Sequence, residues 1–141
     1  MDDTDQRLIS LLRENARAPT AELGRRLGLS RTTVQGRIER LERQGIITGY
    51  GVRLSEDHER GAVRAHVMIT VRPKEARSVE AALRALTCVR VLHSVSGAFD
   101  LLAVLVAPSV AEMDAAIDQI GDLAGVERTT TSIILSTRLD R

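Results

Sequence analysis

The spacing of apolar residues changes period once along this chain, and that change constrains the fold more than any other feature. Val34, Ile38 and Leu41 stand at i, i+4 and i+7, the spacing of one face of a helix. Val63, Ala65, Val67, Ile69 and Val71 stand at every second position, the spacing of one face of a strand. Between the two rhythms lies the polar stretch 55–61, Ser-Glu-Asp-His-Glu-Arg-Gly. A chain of 141 residues divided in this way is expected to hold two small units, giving an α+β protein. The expected divisions are 1–50, a joining strand and loop at 51–61, and 62–141.

The first unit reads as three helices. The first is expected from Thr4 to Asn15, with Thr4 as cap and Leu8, Ile9, Leu11 and Leu12 inward. A second, capped by Thr20 after Pro19, carries Leu23 and Leu27 and stops at Gly28. Ser30 caps a third that runs to Gly45. Two helices joined by a three-residue turn containing Gly form a helix-turn-helix. The β-prone run Ile46 to Leu54 is expected to add a wing and a strand, completing a winged helix-turn-helix.

The second unit reads β-α-β-β-α-β, the ferredoxin-like order. Strands are expected at Val63 to Val71, Val89 to Val95, Phe99 to Val106 and Val126 to Ser136. Pro73 opens one helix, and a Ser109/Glu112 capping box opens the other, whose exit Gly121 and Gly125 flank. The run Leu101 to Val106 is apolar on both faces, while helices cover only one face of such a sheet. Its other face is expected to meet a second subunit.

Composition excludes several classes. No apolar run is long enough to span a membrane, and the acidic start Met1 to Asp5 is unlike a signal peptide. A single Cys88 permits no internal disulfide and fits a reducing cytoplasm. Aromatics are only 1%, Tyr50 and Phe99, too few for the stacking platforms of a single-strand binder. The net charge of +1 hides an uneven distribution. Residues 17–43 hold seven arginines and three acids, a local excess of four positive charges that leaves −3 for the rest. Such a patch suits a phosphate footprint, although Glu–Arg pairing on a solvated helix would look the same.

These residues, in this order, resemble the Lrp/AsnC family of leucine-responsive, or feast/famine, transcription regulators. The resemblance rests on Asp2 to Ile9, Glu14 to Arg17, Glu22-Leu23, Gly28-Leu29-Ser30 and, most specifically, Val34 to Tyr50. In the second unit it rests on Ser96-Gly97-Ala98-Phe99-Asp100 and Thr129 to Leu135. It implies a cytoplasmic, nucleoid-associated regulator without catalytic or metal sites. It also implies a partner double-stranded DNA, an amino-acid effector rather than a cofactor, and dimers assembling into an octamer.

The third helix is then expected in the major groove. Gln35 suits bidentate reading of adenine, and Thr32 and Thr33 suit a thymine methyl or a phosphate. Arg31 and Arg40 are expected as phosphate clamps, with Arg37 beside them. Gly36 lies on the groove-facing side, either to let the helix sit close to DNA or as a tolerated defect.

For the effector, spacing alone reads Asp100 as capping a hairpin turn in which Gly97 supplies a positive φ. The resemblance implies instead that Gly97, Ala98, Asp100, Thr129, Thr131 and Ser132 line an effector pocket. Asp100 would accept the ammonium, the Gly97–Ala98 amides would face the carboxylate, and the hydroxyls would complete the donor set. With Phe99 the one local ring, a small or aliphatic amino acid is expected.

The competing class is an enzyme. Siroheme decarboxylases resemble this family in fold and domain order and bind a tetrapyrrole through His and Arg. His58 falls in the linker, and His66 and His93 alternate with apolar strand neighbours, as structural or interface histidines do more often than ligands. The basic helix-turn-helix fits that class poorly. It equally opposes a metabolite-binding module without DNA contact.

Overall fold

The computed structural model describes residues 1–55 and 57–140; Glu56 of the expected linker and Arg141 lie outside the described residues. The chain forms two compact units, Met1–Leu54 and Ser55–Arg141.

The first unit holds α1 (Asp3–Glu14), α2 (Thr20–Leu27) and α3 (Arg31–Arg43). Its core is Leu8, Leu12, Leu23, Val34, Ile38 and Leu41, the stripe that the helical spacing marks. The cap of α1 differs from expectation: Asp2, not Thr4, caps it, through a reciprocal box with Asp5. A carboxylate at the cap also complements the positive end of the helix dipole, which a Thr does not. Thr20 is the first residue of α2 rather than its cap, and Pro19 stands before it. Ser30 caps α3 as expected, accepting the Thr33 N–H at 3.2 Å. Gly28 closes α2 at φ 71°, a left-handed position open to Gly without strain.

Gly24 decides how tightly the helix-turn-helix closes. A Cβ there would run into the carbonyl oxygen of Leu29, whose own N–H donates to the Gly24 carbonyl at 2.8 Å. No strand forms over Ile46 to Leu54, so the expected wing is absent from the single subunit: Ile46 and Ile47 turn back to donate to the Leu41 carbonyl, and the rest is irregular chain. A strand needs a partner for its N–H and C=O groups. Ile46, Tyr50, Val52 and Leu54 remain exposed.

The second unit is β1 (Val63–Val71), a 3₁₀ turn at Pro73–Glu75, α4 (Ala76–Ala85), β2 (Val89–Ser94), β3 (Leu101–Ala107), α5 (Val110–Gly121) and β4 (Val126–Ile133). The sheet order is β2-β3-β1-β4, antiparallel throughout. This is the ferredoxin-like arrangement of an α+β chain. Pro73 opens the 3₁₀ turn rather than α4 itself, and Gly121, the last residue of α5, stands at its exit as expected. Ser109 caps α5, but its hydroxyl, not its backbone N–H, donates to Glu112, so the expected box is half formed. Strands β2, β3 and β4 are each shorter than expected: the ladder begins at Leu101, not Phe99, and ends at Ile133, not Ser136.

Alternation governs burial. Ala65, Val67, Ile69 and Val71 of β1 and Leu101, Ala103, Leu105 and Ala107 of β3 are buried with Val79 and Leu83 of α4 and Met113, Ala116 and Ile120 of α5. Both helices therefore lie on one face of the sheet. On the other face Leu102, Val104 and Val106 are only half-buried. Met68 lies opposite Leu102, and Val91 and His66 flank Val104.

Candidate functional site

In the first unit the outer surface of α3 follows from its inner one. Val34, Ile38 and Leu41 are buried, so Arg31, Thr32, Thr33, Gln35 and Gly36 at the N-terminal half of the helix are exposed. Gly36 has nothing within 4 Å of where its Cβ would stand, so no internal contact demands a glycine there. Arg31 makes no ion pair among the described residues. Gln35 donates to Glu39 Oε1 at 3.0 Å, an i,i+4 bond that holds its amide along the helix. Thr33 shares a 2.8 Å hydrogen bond with the capping hydroxyl of Ser30.

Arg40, expected as a phosphate clamp, and Arg37, expected beside it among the DNA-binding residues, both bind carboxylates of their own unit. Arg37 donates to Asp2 at 2.8 and 2.9 Å and to Asp5 Oδ1 at 2.9 Å, and Arg40 donates to Asp5 Oδ2 at 2.7 Å. Both guanidiniums are tied to the first turn of α1, and Asp5 is fully buried. The hydrogen bond from Arg37 holds the Asp2 carboxyl below the usual carboxylate range. Burial alone would push Asp5 up; the Arg37 bond, the Asp2 backbone N–H and the Arg40 charge outweigh it, and Asp5 too lies below that range. Arg37 is raised in turn, first by its bond to Asp2 and then by that to Asp5.

The sequence expectation capped α1 with Thr4 and gave Asp2 and Gly24 no structural part. The Asp-x-x-Asp spacing was a readable capping signal. Nothing local announces a bond spanning 32 or 35 residues.

In the second unit the turn Ser96-Gly97-Ala98-Phe99-Asp100 joins β2 to β3, and Gly97 takes φ 112°. Asp100 accepts the Val71 N–H through Oδ2 at 2.9 Å, while its own N–H donates to the Ile69 carbonyl at 3.0 Å. It borders a cavity of about 320 Å³ whose walls include Val71, Pro73, Glu80, Ser94 and Leu101. Within one chain the hydroxyl residues do not join it. Thr129 and Thr131 lie opposite Ile69 and Val67 on the helix-covered face, whereas Ser132 lies opposite His66 on the other face. Strand β1 also separates β3 from β4, putting two ladder spacings, about 10 Å, between them. Ala98 is exposed in the turn, and neither it nor Gly97 reaches the cavity wall.

Comparison with known proteins accounts for both units. Residues 1–42 match the AsnC-type helix-turn-helix domain, and residues 64–141 match the Lrp/AsnC ligand binding domain. The HTH-type transcriptional regulator Rv2324 of Mycobacterium tuberculosis is 30% identical over 142 residues, covering 100% of this chain and 96% of its own. Among solved structures, E. coli AsnC superposes with a TM-score of 0.88 at 26% identity, covering 100% of this chain and 96% of that one. The transcriptional regulator NMB0573 of Neisseria meningitidis, solved as its L-Met complex, superposes with a TM-score of 0.89 at 26% identity, covering 99% and 93%. No helix among the described residues is long and apolar enough to cross a membrane. A helix-turn-helix on a buried aliphatic core, followed by a one-sided βαββαβ sheet and matched along the whole chain, leaves one conclusion: this protein belongs to the Lrp/AsnC family of DNA-binding transcription regulators.

Proposed function

We propose that this regulator reads double-stranded DNA by sequence through the N-terminal half of α3, and that an amino acid bound beside Asp100 changes its DNA binding or its assembly. One observation carries the DNA reading: Arg31, Thr32, Thr33, Gln35 and Gly36 form an exposed surface backed by the buried Val34, Ile38 and Leu41. A rigid helix presenting Arg, Thr and Gln at its N-terminal end is what the major groove admits. Asp100 and the turn at Gly97-Ala98 supply an anion and backbone donors for a zwitterion. The L-Met complex of the Neisseria relative supports that ligand class.

The half-buried strip Leu102, Val104 and Val106 supports a homodimer closing over the sheet, with larger rings, up to an octamer, built from such dimers. A second subunit also supplies a place where Thr129, Thr131 and Ser132 meet an Asp100 they do not reach within one chain. The names of the relatives support regulation and not catalysis. Reading DNA would put the protein in the cytoplasm, on the nucleoid.

The test is fluorescence anisotropy on DNA upstream of the protein's own gene, across a salt series, with and without a panel of amino acids that includes L-methionine. Expected are a steep loss of affinity with salt and a shift with at least one amino acid. Salt-independent binding, or indifference to every amino acid, overturns the corresponding half.

A further inference from the structure

Asp5 is the one fully buried charged side chain among the described residues, and it faces the helix that carries the DNA-reading surface. Each of its oxygens takes a different guanidinium, Arg37 on Oδ1 and Arg40 on Oδ2. Those arginines stand three residues apart on one flank of α3, beside its buried stripe. A single bond would leave the helix free to roll. Two bonds a turn apart, to the two oxygens of one carboxylate, set both its roll and its position along α1. Asp2 also accepts from Arg37 Nη1 and caps α1 through the Asp5 N–H, so the acceptor is itself fixed by the helix it belongs to.

We propose that Asp5 is the positioning residue for DNA recognition: it fixes the face that α3 offers to the groove and keeps Arg37 and Arg40 off the phosphates. This rests on the reading of α3 as the DNA-binding helix. A buried carboxylate that loses a partner is left uncompensated, so phosphate competes poorly for either guanidinium. Two carboxylates neutralise two guanidiniums, and the excess of four positive charges over residues 17–43 is felt by DNA as two. Orientation, and hence base discrimination, comes from the paired arginines; phosphate neutralisation comes from others such as Arg31.

The experiment measures log K against log salt for a specific and a random duplex, using the full-length protein and its Asp5→Asn variant. Asparagine keeps the shape of the side chain but loses the charge that holds the guanidiniums. The expected result is a salt slope steeper by about 0.9 for each arginine released to phosphate, with tighter random-duplex binding and a specific-to-random ratio lower by about tenfold. A residue that merely stabilises the fold would not steepen the slope. A folded variant with unchanged slope and ratio overturns the proposal.

Where Asp5→Asn fails to fold, Arg40→Gln decides, since it keeps an N–H donor for Asp5. The slope is then expected to stay at the wild-type value, and a fall of about 0.9 would make Arg40 a phosphate clamp and overturn the proposal. Arg31→Ala separates the two levels. If it leaves the slope unmoved, the placement of α3 fails and this proposal with it. If it lowers the slope while Asp5→Asn does nothing, the role of Asp5 alone fails.

Discussion

Asp100 and Val71 are joined by a 2.9 Å bond in which the carboxylate of the β2–β3 turn accepts the last N–H of β1. The carboxylate thus has a structural duty beside the binding role proposed for it, and two substitutions separate them. Asp100→Asn keeps an oxygen for Val71 and removes the charge. It is expected to melt within a few degrees of wild type and to bind the amino acid at least tenfold more weakly by calorimetry. Asp100→Ala loses both functions and is expected to cost about 1 kcal/mol in addition. Unchanged affinity in the Asn variant makes Asp100 a turn residue only.

Gly24 and Gly36 make opposite forecasts from the same substitution. Gly24→Ala drives a methyl into the Leu29 carbonyl and is expected to destabilise the first unit by about 1–3 kcal/mol, with loss of DNA binding. Gly36→Ala meets nothing within the protein and is expected to stabilise α3 by about 0.5–1 kcal/mol. Thermal melts by circular dichroism check both signs. If Gly36→Ala raises the melting temperature yet weakens DNA binding, the missing side chain serves close approach to the duplex.

Acid should loosen the first unit before the second. Asp2 and Asp5 are held below the ordinary carboxylate range against Arg37 and Arg40, so the folded state favours their charged forms. Their contribution is therefore complete above the unfolded value near pH 4 and is lost as pH falls through the lower folded values. Chemical shifts of α1 and α3 followed from pH 6 to pH 2 should report this loss, and Asp5→Asn should flatten it. A first unit equally stable at pH 6 and pH 2 contradicts the network's contribution.

Val104 sits mid-strand on the sheet face that the helices leave uncovered. Val104→Asp is tolerable while that face is wet and costly once a second copy covers it. Light scattering is expected to find an oligomer for wild type and a folded monomer for the variant. A wild-type monomer at micromolar concentration ends the dimer proposal.

Much of this architecture was legible before any coordinates. Period 3.6 gave the stripe Val34, Ile38, Leu41, and period 2 gave β1 and the two-sided β3, because both are local consequences of side-chain direction. The cap of α1 was misplaced by two residues since Thr4 and Asp2 both satisfy capping preference, and only the box with Asp5 chooses between them. The wing failed because β-prone residues make a strand only when something pairs with them. Alternation alone separates Thr129 and Thr131 from Ser132, yet the family pattern grouped all three. Arg37 and Arg40 looked like solvent-facing cations because the partners that claim them lie at the far end of the unit's sequence.

The register of β1 against β4, from Ala65 to Ile133, has a consequence for how the protein is made. Strand β1, one of the two inner strands, leaves the ribosome early and must wait for residue 133 before its second edge is fully paired. The three helices, by contrast, are held by contacts within the first 54 residues. Short-range contacts form sooner than long-range ones. A nascent or prematurely ended chain would therefore carry a finished DNA-binding unit attached to a sheet with β1 open along one side. Such a chain would present its helix-turn-helix before its ligand-binding domain is complete, so the two units need not become competent together.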